Sequence, residues 1–200
     1  MKGTLVGVLC VSALFPSEGS GQLARLGLGG GFGTVWGDEF DFAKAGPTVG
    51  GSLLFLGLGG VEVGLAFDYS QFGLGDPEEL DLPDEFDFEV GDEHFAQLEI
   101  LGVVRHVFPA ERAQFFIGGK AGFTRRTAEH AIYETSRSGL AIGPTVGVLL
   151  PIADFHLELG LDAMLVSYGN VKVLDLQLSD SGASGLRGIG RVGLSIPLGE

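Results

Sequence analysis

The chain has 200 residues, of which 26 are acidic and 12 basic, giving a formal net charge of −14; 45% are hydrophobic, 19% charged, and 35 are glycine. The acidic balance argues against nucleic acid as a partner and against polybasic docking on anionic lipid, since both need a cationic footprint. The apolar content excludes a disordered or charge-rich helical chain, and the length fits a single domain.

Residues 1–21 read as an export signal. Lys2 supplies a short positive end, and Gly3 to Phe15 is an apolar run of signal-core length, too short to span a bilayer as a helix. Gly19, Ser20 and Gly21 offer small residues for cleavage, making Gln22 the expected first mature residue and 22–200 the mature domain. The alternative is an uncleaved interfacial anchor or a buried strand. The only cysteine, Cys10, lies in this segment, so a mature chain from Gln22 has no thiol for a disulfide, cluster or thiolate zinc site.

Beyond residue 22 no apolar run approaches the roughly 18 residues of a membrane helix, yet the chain stays hydrophobic. In its clearest stretch Val61, Val63, Leu65, Phe67 and Tyr69 alternate with Glu62, Gly64, Ala66, Asp68 and Ser70. A period of two makes one greasy and one polar face on a strand. The same pattern predicts strands over Leu23 to Trp36, Thr48 to Leu56, His94 to Val107, Gln114 to Arg126, Gly139 to Leu149, Phe155 to Ser167 and Leu186 to Leu198. With Val61 onward that makes eight, two of them holding Pro144 and Pro197, which remove ladder donors.

The connections alternate in length. Gly37 to Gly46, Gly73 to Glu93, Thr127 to Ser138 and Tyr168 to Gly185 are long; Gly57 to Gly60, Phe108 to Ala113 and Leu150 to Asp154 are short. Long loops on one side and tight turns on the other are the pattern of transmembrane barrels. On strand count, loop alternation and the last strand, Arg191-Val192-Gly193-Leu194-Ser195-Ile196-Pro197-Leu198, the chain resembles the small outer-membrane β-barrel family that includes the OmpA barrel domain, OmpX and the opacity-type proteins. The resemblance implies an all-β, eight-stranded antiparallel up-and-down barrel in the bacterial outer membrane. It also implies contact with outer-membrane lipid and lipopolysaccharide, delivery by the outer-membrane assembly machinery, and a monomer. Family members usually end on an aromatic residue, where this chain has Leu198-Gly199-Glu200.

If Val61, Leu65 and Phe67 face lipid, parity puts Glu62, Asp68, Glu99, Glu158 and Asp162 in the lumen together with Arg105, Lys120, Arg126, Arg187 and Arg191. Five acids then meet five bases, and in a narrow lumen of low dielectric they must pair. Gly27, Gly29, Gly31 and Gly33 turn the first strand's inner face into open space, leaving room for long arginines opposite. Eight strands leave only enough interior for side chains, so this network plugs the barrel. Arg105 and Arg126 are the charges expected to reach water at strand ends. Aromatic residues cluster at the two ends of the lipid face: Phe55, Phe108, Phe115 and Phe155 beside short turns, Trp36, Tyr69 and Phe123 toward long loops.

The segment 73–93 holds ten carboxylates between Asp76 and Glu93 and no Lys or Arg, with Leu80, Leu82, Phe86, Phe88 and Val90 interleaved as if in a projecting hairpin. It could meet an extracellular ligand or collect calcium, but it lacks EF-hand spacing, and a charge run of this kind is usually a solvated surface. No cofactor or metal site is expected. His156 and Glu158 are the nearest approach to an acid–base pair, yet they point inward and no neighbouring sequence supplies a serine nucleophile. Gly118-Gly119-Lys120 lacks the upstream glycine and the Ser/Thr of a phosphate loop. The expectation is a structural or surface-interaction barrel without catalysis; the alternative is a lipid-modifying enzyme or a narrow channel. Fractionation should recover the mature protein with the outer membrane, its N-terminus near Gln22, and recovery of the full-length chain from cytosol would overturn that expectation.

Overall fold

Alternating residues become strands wherever the period of two was read. The computed structural model describes residues 24–37, 45–73, 94–110, 112–129, 134–169, 171–173, 176–179 and 183–199; the expected signal segment and the acidic run from Asp76 to Glu93 lie outside them. The strands are β1 (Ala24–Trp36), β2 (Gly46–Leu56), β3 (Val61–Gly73), β4 (His94–Phe108), β5 (Gln114–Glu129), β6 (Glu134–Ile152), β7 (Phe155–Tyr168), β8 (Val171–Val173), β9 (Leu176–Ser179) and β10 (Ala183–Leu198). β1 through β7 pair in sequence, each antiparallel to the next, and β10 closes the ring between β7 and β1. The result is a closed, eight-stranded up-and-down barrel, with β8 and β9 as a short hairpin on the outer end of β6.

Parity then sorts every side chain. On β3, Leu65 and Phe67 are 62% and 48% exposed while their neighbours Ala66 and Asp68 are 4% and 0% exposed. The same contrast runs around the ring, and the large apolar residues left exposed, such as Phe32, Ile100, Ile117, Ile142, Leu161 and Val192, all point outward. A monomer in water rarely tolerates a continuous apolar belt of this extent, whereas hydrocarbon removes the penalty at about 25 cal/mol per Å². The belt therefore crosses a membrane. Its upper edge is sharp: outward residues change from Phe123 to Arg125, from Leu140 to Ser138, from Leu165 to Ser167 and from Leu186 to Ser184. Trp36, Tyr69 and Phe123 are exposed toward the long loops, and Phe55, Phe108 and Phe115 near the short turns, as the two girdles require; Phe155 is half-buried.

Several boundaries differ from the sequence reading: β6 runs to Ile152 rather than Leu149, and β4 and β7 end one residue late, at Phe108 and Tyr168. The expected loop Thr127 to Ser138 is mostly strand, because the β5–β6 ladder continues through Thr127↔Ser136 to Glu129↔Glu134. Above the membrane both strand faces are polar, so alternation no longer marks a strand that hydrogen bonding still holds. The expected loop Tyr168 to Gly185 also contains two short strands, β8 and β9, although there the apolar alternation persists, at Val171 and Val173 and at Leu176 and Leu178, in runs of only three and four residues. Finally, β2 begins at Gly46 rather than Thr48.

Neither proline breaks its strand. Pro144 pairs with Gly119 on β5, and the β6–β7 ladder skips from Ile142↔Leu165 to Thr145↔Asp162 where its donor is missing. Pro197 pairs with Arg25 on β1 and lies past the last β7–β10 rung, Ser195↔His156. The turn from β2 to β3 needs left-handed backbone at Gly59 (φ 72°) and Gly60 (φ 82°), which glycine adopts without penalty.

Gly31 marks one of the tight places in the wall. A Cβ on inward-facing Gly31 would run into the carbonyl of Gly190 and come within 2.8 Å of Arg191 Cα, whereas a Cβ on outward Gly119 would approach nothing closer than 3.7 Å. Gly31→Val should therefore abolish the heat-modifiable folded band on mild gels and the β-type circular dichroism. Gly119→Ala should keep both, with stability changed by no more than about 0.5 kcal/mol. Equal behaviour of the two variants would contradict this register.

Candidate functional site

The inward positions of eight strands converge on a lumen too narrow for bulk water, and the charges there sort into three layers. Nearest the short turns, Glu62 on β3 is almost fully buried at 1% exposure. Arg105 on β4 donates from Nε to Glu62 Oε2 at 2.6 Å and from Nη1 to Glu158 Oε1 on β7 at 3.0 Å. Arg25 on β1 brings Nε to 3.1 Å from Glu62 Oε1. The Arg105 guanidinium also lies over the Phe116 ring, 4.3 Å from its centroid.

In the middle layer Arg191 on β10 holds Asp68 in a two-pronged pair, Nη1 to Oδ1 at 3.0 Å and Nη2 to Oδ2 at 3.1 Å, and also contacts Asp162. Lys120 on β5 donates to Asp162 Oδ2 at 2.8 Å. The planar fork of arginine makes such two-bond pairing possible. Gly31 and Gly160 flank Arg191 in the register on β1 and β7, so its stem runs between two positions without side chains, 3.2 Å from where a Gly160 Cβ would stand. The glycine face of β1 thus makes room for an arginine beside it on β10; the sequence reading had placed that arginine opposite.

The upper layer centres on Arg187, fully buried, paired with Glu99 and hydrogen-bonded to Ser70 Oγ. Ser70 and Thr48 share a hydrogen bond of 2.8 Å, and Gln97 Nε2 donates to Glu99 Oε1 at 2.7 Å and Thr124 Oγ1 at 3.1 Å. Asp68 and Glu99 are register partners, two carboxylates side by side on one face. Like charges so placed repel, and each carboxylate is drawn to its own arginine. Above them Phe72 and Phe95 stack with centroids 4.9 Å apart, with the Arg187 guanidinium 5.9 Å from the Phe72 centroid and Arg126 4.0 Å from that of Phe95. Val35, Met164, Val166 and Tyr168 pack in the same buried cluster.

All eight residues singled out as a lumen network, Glu62, Asp68, Glu99, Lys120, Glu158, Asp162, Arg187 and Arg191, stand in these layers. Two expectations need correction. Arg105 is 4% exposed and does not reach water, because β4 continues to Phe108 and Glu62 and Glu158 hold the guanidinium inward. Arg126 is half-buried against Phe95. Sequence reasoning missed Arg25, although it shares the parity of Gly27 and Gly29, and it missed the neutral bridging groups Thr48, Ser70, Gln97 and Thr124.

It also held that no serine neighbours His156, but the register sets Ser195 directly across from it. The two are 39 positions apart in sequence, so only strand pairing reveals the contact. Neither Ser195 Oγ nor His156 Nδ1 has a hydrogen-bond partner among the described residues, and Ser195 is fully buried inside the closed wall. A nucleophile needs its base in hydrogen-bond reach and a path for substrate, and this pair has neither. Below the middle layer a cavity of about 30 Å³ touches Ser52, Glu158 and Arg191, room for about one water molecule bridging the lower two layers. Among the described residues no group of three or more His, Cys, Asp or Glu gathers to hold a metal.

No protein-family model matches the chain, and neither does any curated protein. Solved structures do. Neisserial surface protein A is similar at a TM-score of 0.62 and 11% identity, covering 88% of this chain and 97% of that one. Ail, the attachment invasion locus protein of Yersinia pestis, solved with the heparin analogue sucrose octasulfate, follows at 0.53 and 14%, covering 88% of this chain and 100% of its own. The outer membrane protein AlkL, determined in lipid bilayers, gives 0.50 and 11%, covering 92% and 94%. The chain has the fold of the small eight-stranded outer-membrane barrels, and its own apolar belt sets it in a membrane.

The ion-pair layers carry a stability test. Removing one partner of a buried pair strands the other, a loss of about 3 to 5 kcal/mol. Arg187→Ala and Glu99→Ala should each lower unfolding free energy in urea by that amount. Asp154→Ala, at an exposed turn, should change it by under about 1 kcal/mol. Small, equal effects would show that the lumen is wet.

Proposed function

We propose that this outer-membrane barrel is a sealed scaffold whose activity lies at its long-loop face, in attachment or envelope integrity, with neither catalysis nor conduction in its lumen. The observation that carries this reading is the closure of the interior: three stacked layers of paired charge, then a stacked aromatic pair with an arginine on each ring. A permeation path needs sites that an ion can enter and leave, and here each carboxylate is already held by a cation at hydrogen-bond distance. With the interior occupied, the segments that differ most from a bare barrel are the long connections above the Trp36, Tyr69 and Phe123 girdle.

The dominant chemistry of those connections is the acidic run Asp76 to Glu93. The related fold of Ail was solved with a polyanionic ligand. A run of ten carboxylates without a Lys or Arg repels such a ligand, so the partner suited to this chain is basic, or anionic and bridged by divalent cations. Its attraction should fall with salt, since exposed charges are screened over about 8 Å at physiological ionic strength.

Refolded protein in a planar bilayer should pass no resolvable single-channel current and release no fatty acid from phospholipid vesicles. Deleting Asp76 to Glu89 should leave the heat-modifiable folded band intact, because shortening a long surface loop changes closure entropy little. The same deletion should weaken low-salt binding to a polylysine surface. Steady conductance, lipid hydrolysis, or undiminished polylysine binding by the deletion variant would each count against this function.

A further inference from the structure

The outer wall carries a trough that the barrel itself does not need. At the long-loop edge of the belt, a horizontal row of outward side chains runs across four strands in register: Trp36 on β1 beside Leu186 on β10, Leu186 beside Leu165 on β7, and Leu165 beside Ile142 on β6. These four, with Leu140, wall an open depression of about 550 Å³, within the size range of small-molecule sites. Leu140, Leu165 and Ile142 are at least 60% exposed, and among the described residues nothing covers them. The depression exists because its neighbours are small. Trp36 reaches over β10, its ring 3.0 Å from where a Gly188 Cβ would stand, and Ser167 and Ser184 face each other as outward register partners immediately above.

We infer that this trough seats one acyl chain of a bilayer lipid, with the Ser167 and Ser184 hydroxyls bonding the oxygens at the head of that chain. The inference rests on membrane insertion alone and stands or falls separately from any role of the acidic connection. The occupant follows from position and chemistry. The trough opens sideways from the apolar belt, so hydrocarbon is the medium against it, and a depression left empty there would forfeit the dispersion contacts of its walls. Its apolar floor ends at two hydroxyls and the indole, at the level where the belt gives way to polar residues. An amphiphile changes from hydrocarbon to ester and glycerol oxygens at that same level, and indole rings favour it for the same reason. A second copy of the barrel would have to bury the Ser167 and Ser184 hydroxyls against its own apolar belt, whereas a lipid brings oxygens to meet them.

Trp36 is the only tryptophan, so it reports on the trough directly. The protein is reconstituted in diphytanoylphosphatidylcholine vesicles, whose methyl-branched chains pack poorly into the trough and so compete weakly for it, with increasing fractions of straight-chain phosphatidylcholine brominated on one chain, and Trp36 fluorescence is recorded. A seated chain gives quenching that saturates at low brominated fraction. In Ser167→Leu and in Ser184→Leu, each of which fills the upper trough, the saturating component should be lost while quenching proportional to bulk fraction remains. A reporter moved to the far girdle, Trp36→Phe with Phe115→Trp, should show only the proportional part. Folding of every variant is checked by heat-modifiable mobility, and two independent filling variants guard against failure of either one. Proportional quenching in the native protein, an unchanged saturating component in both filled variants, or saturation at Phe115→Trp as well would each overturn the assignment. So would loss of quenching as protein concentration rises at fixed lipid composition, since that would make a second copy the occupant.

Discussion

Closing eight strands into a ring fixes a lumen that only side chains can fill, and the rest of this molecule follows from that confinement. Charges placed inward cannot be solvated, so they must meet partners on other strands. The pairs that form are long-range in sequence: Arg191 with Asp68, Arg105 with Glu158, Arg187 with Glu99. Each ties together strands that are not neighbours in the ring. Hydrogen-bonded rungs hold adjacent strands; the ion pairs brace the barrel across its diameter.

The same confinement explains the glycines. An arginine stem on one strand requires an empty position on the next, and Gly31 and Gly160 supply it on either side of Arg191. Gly33 faces the Phe72 ring, 3.4 Å from where its Cβ would be, so the aromatic cap too is seated against a glycine wall. Buried ion pairs of this kind do not maximise stability, because desolvation offsets much of their attraction. What they add here is selection of one register: a one-residue slip of any strand would carry its charges to the lipid face and its leucines into the lumen.

On the function proposed above, an interior filled with paired charge leaves two surfaces for contact. One is the lipid face, which is hollowed where Trp36 reaches over Gly188 and the serine pair stands in place of larger residues. The other is the long-loop end, where β5 and β6 extend past the belt and β8 adds to β6. The residues that pair in the lumen are thus different from those of the long connections, and the connections can vary without disturbing the pairs. This separation is consistent with sequence identities of 11% to 14% among barrels of one fold.

The sequence by itself determined the strand count, the antiparallel up-and-down order, the two faces of each strand and eight members of the lumen network. It could do so because side-chain direction alternates with a period of two, and a membrane makes that alternation obligatory. It did not determine which acid meets which base, since parity gives direction but not height or neighbour. Strand register supplied those, and with them Arg25, the bridging Ser70 and Gln97, and the meeting of Ser195 with His156 across 39 positions. The upper ends of β5 and β6 were also beyond the sequence, because past the belt the apolar alternation stops while the backbone ladder continues. The trough beside Trp36 belongs to the same class: β6, β7 and β10 follow one another around the ring, and only its closure sets β1 and Trp36 beside them.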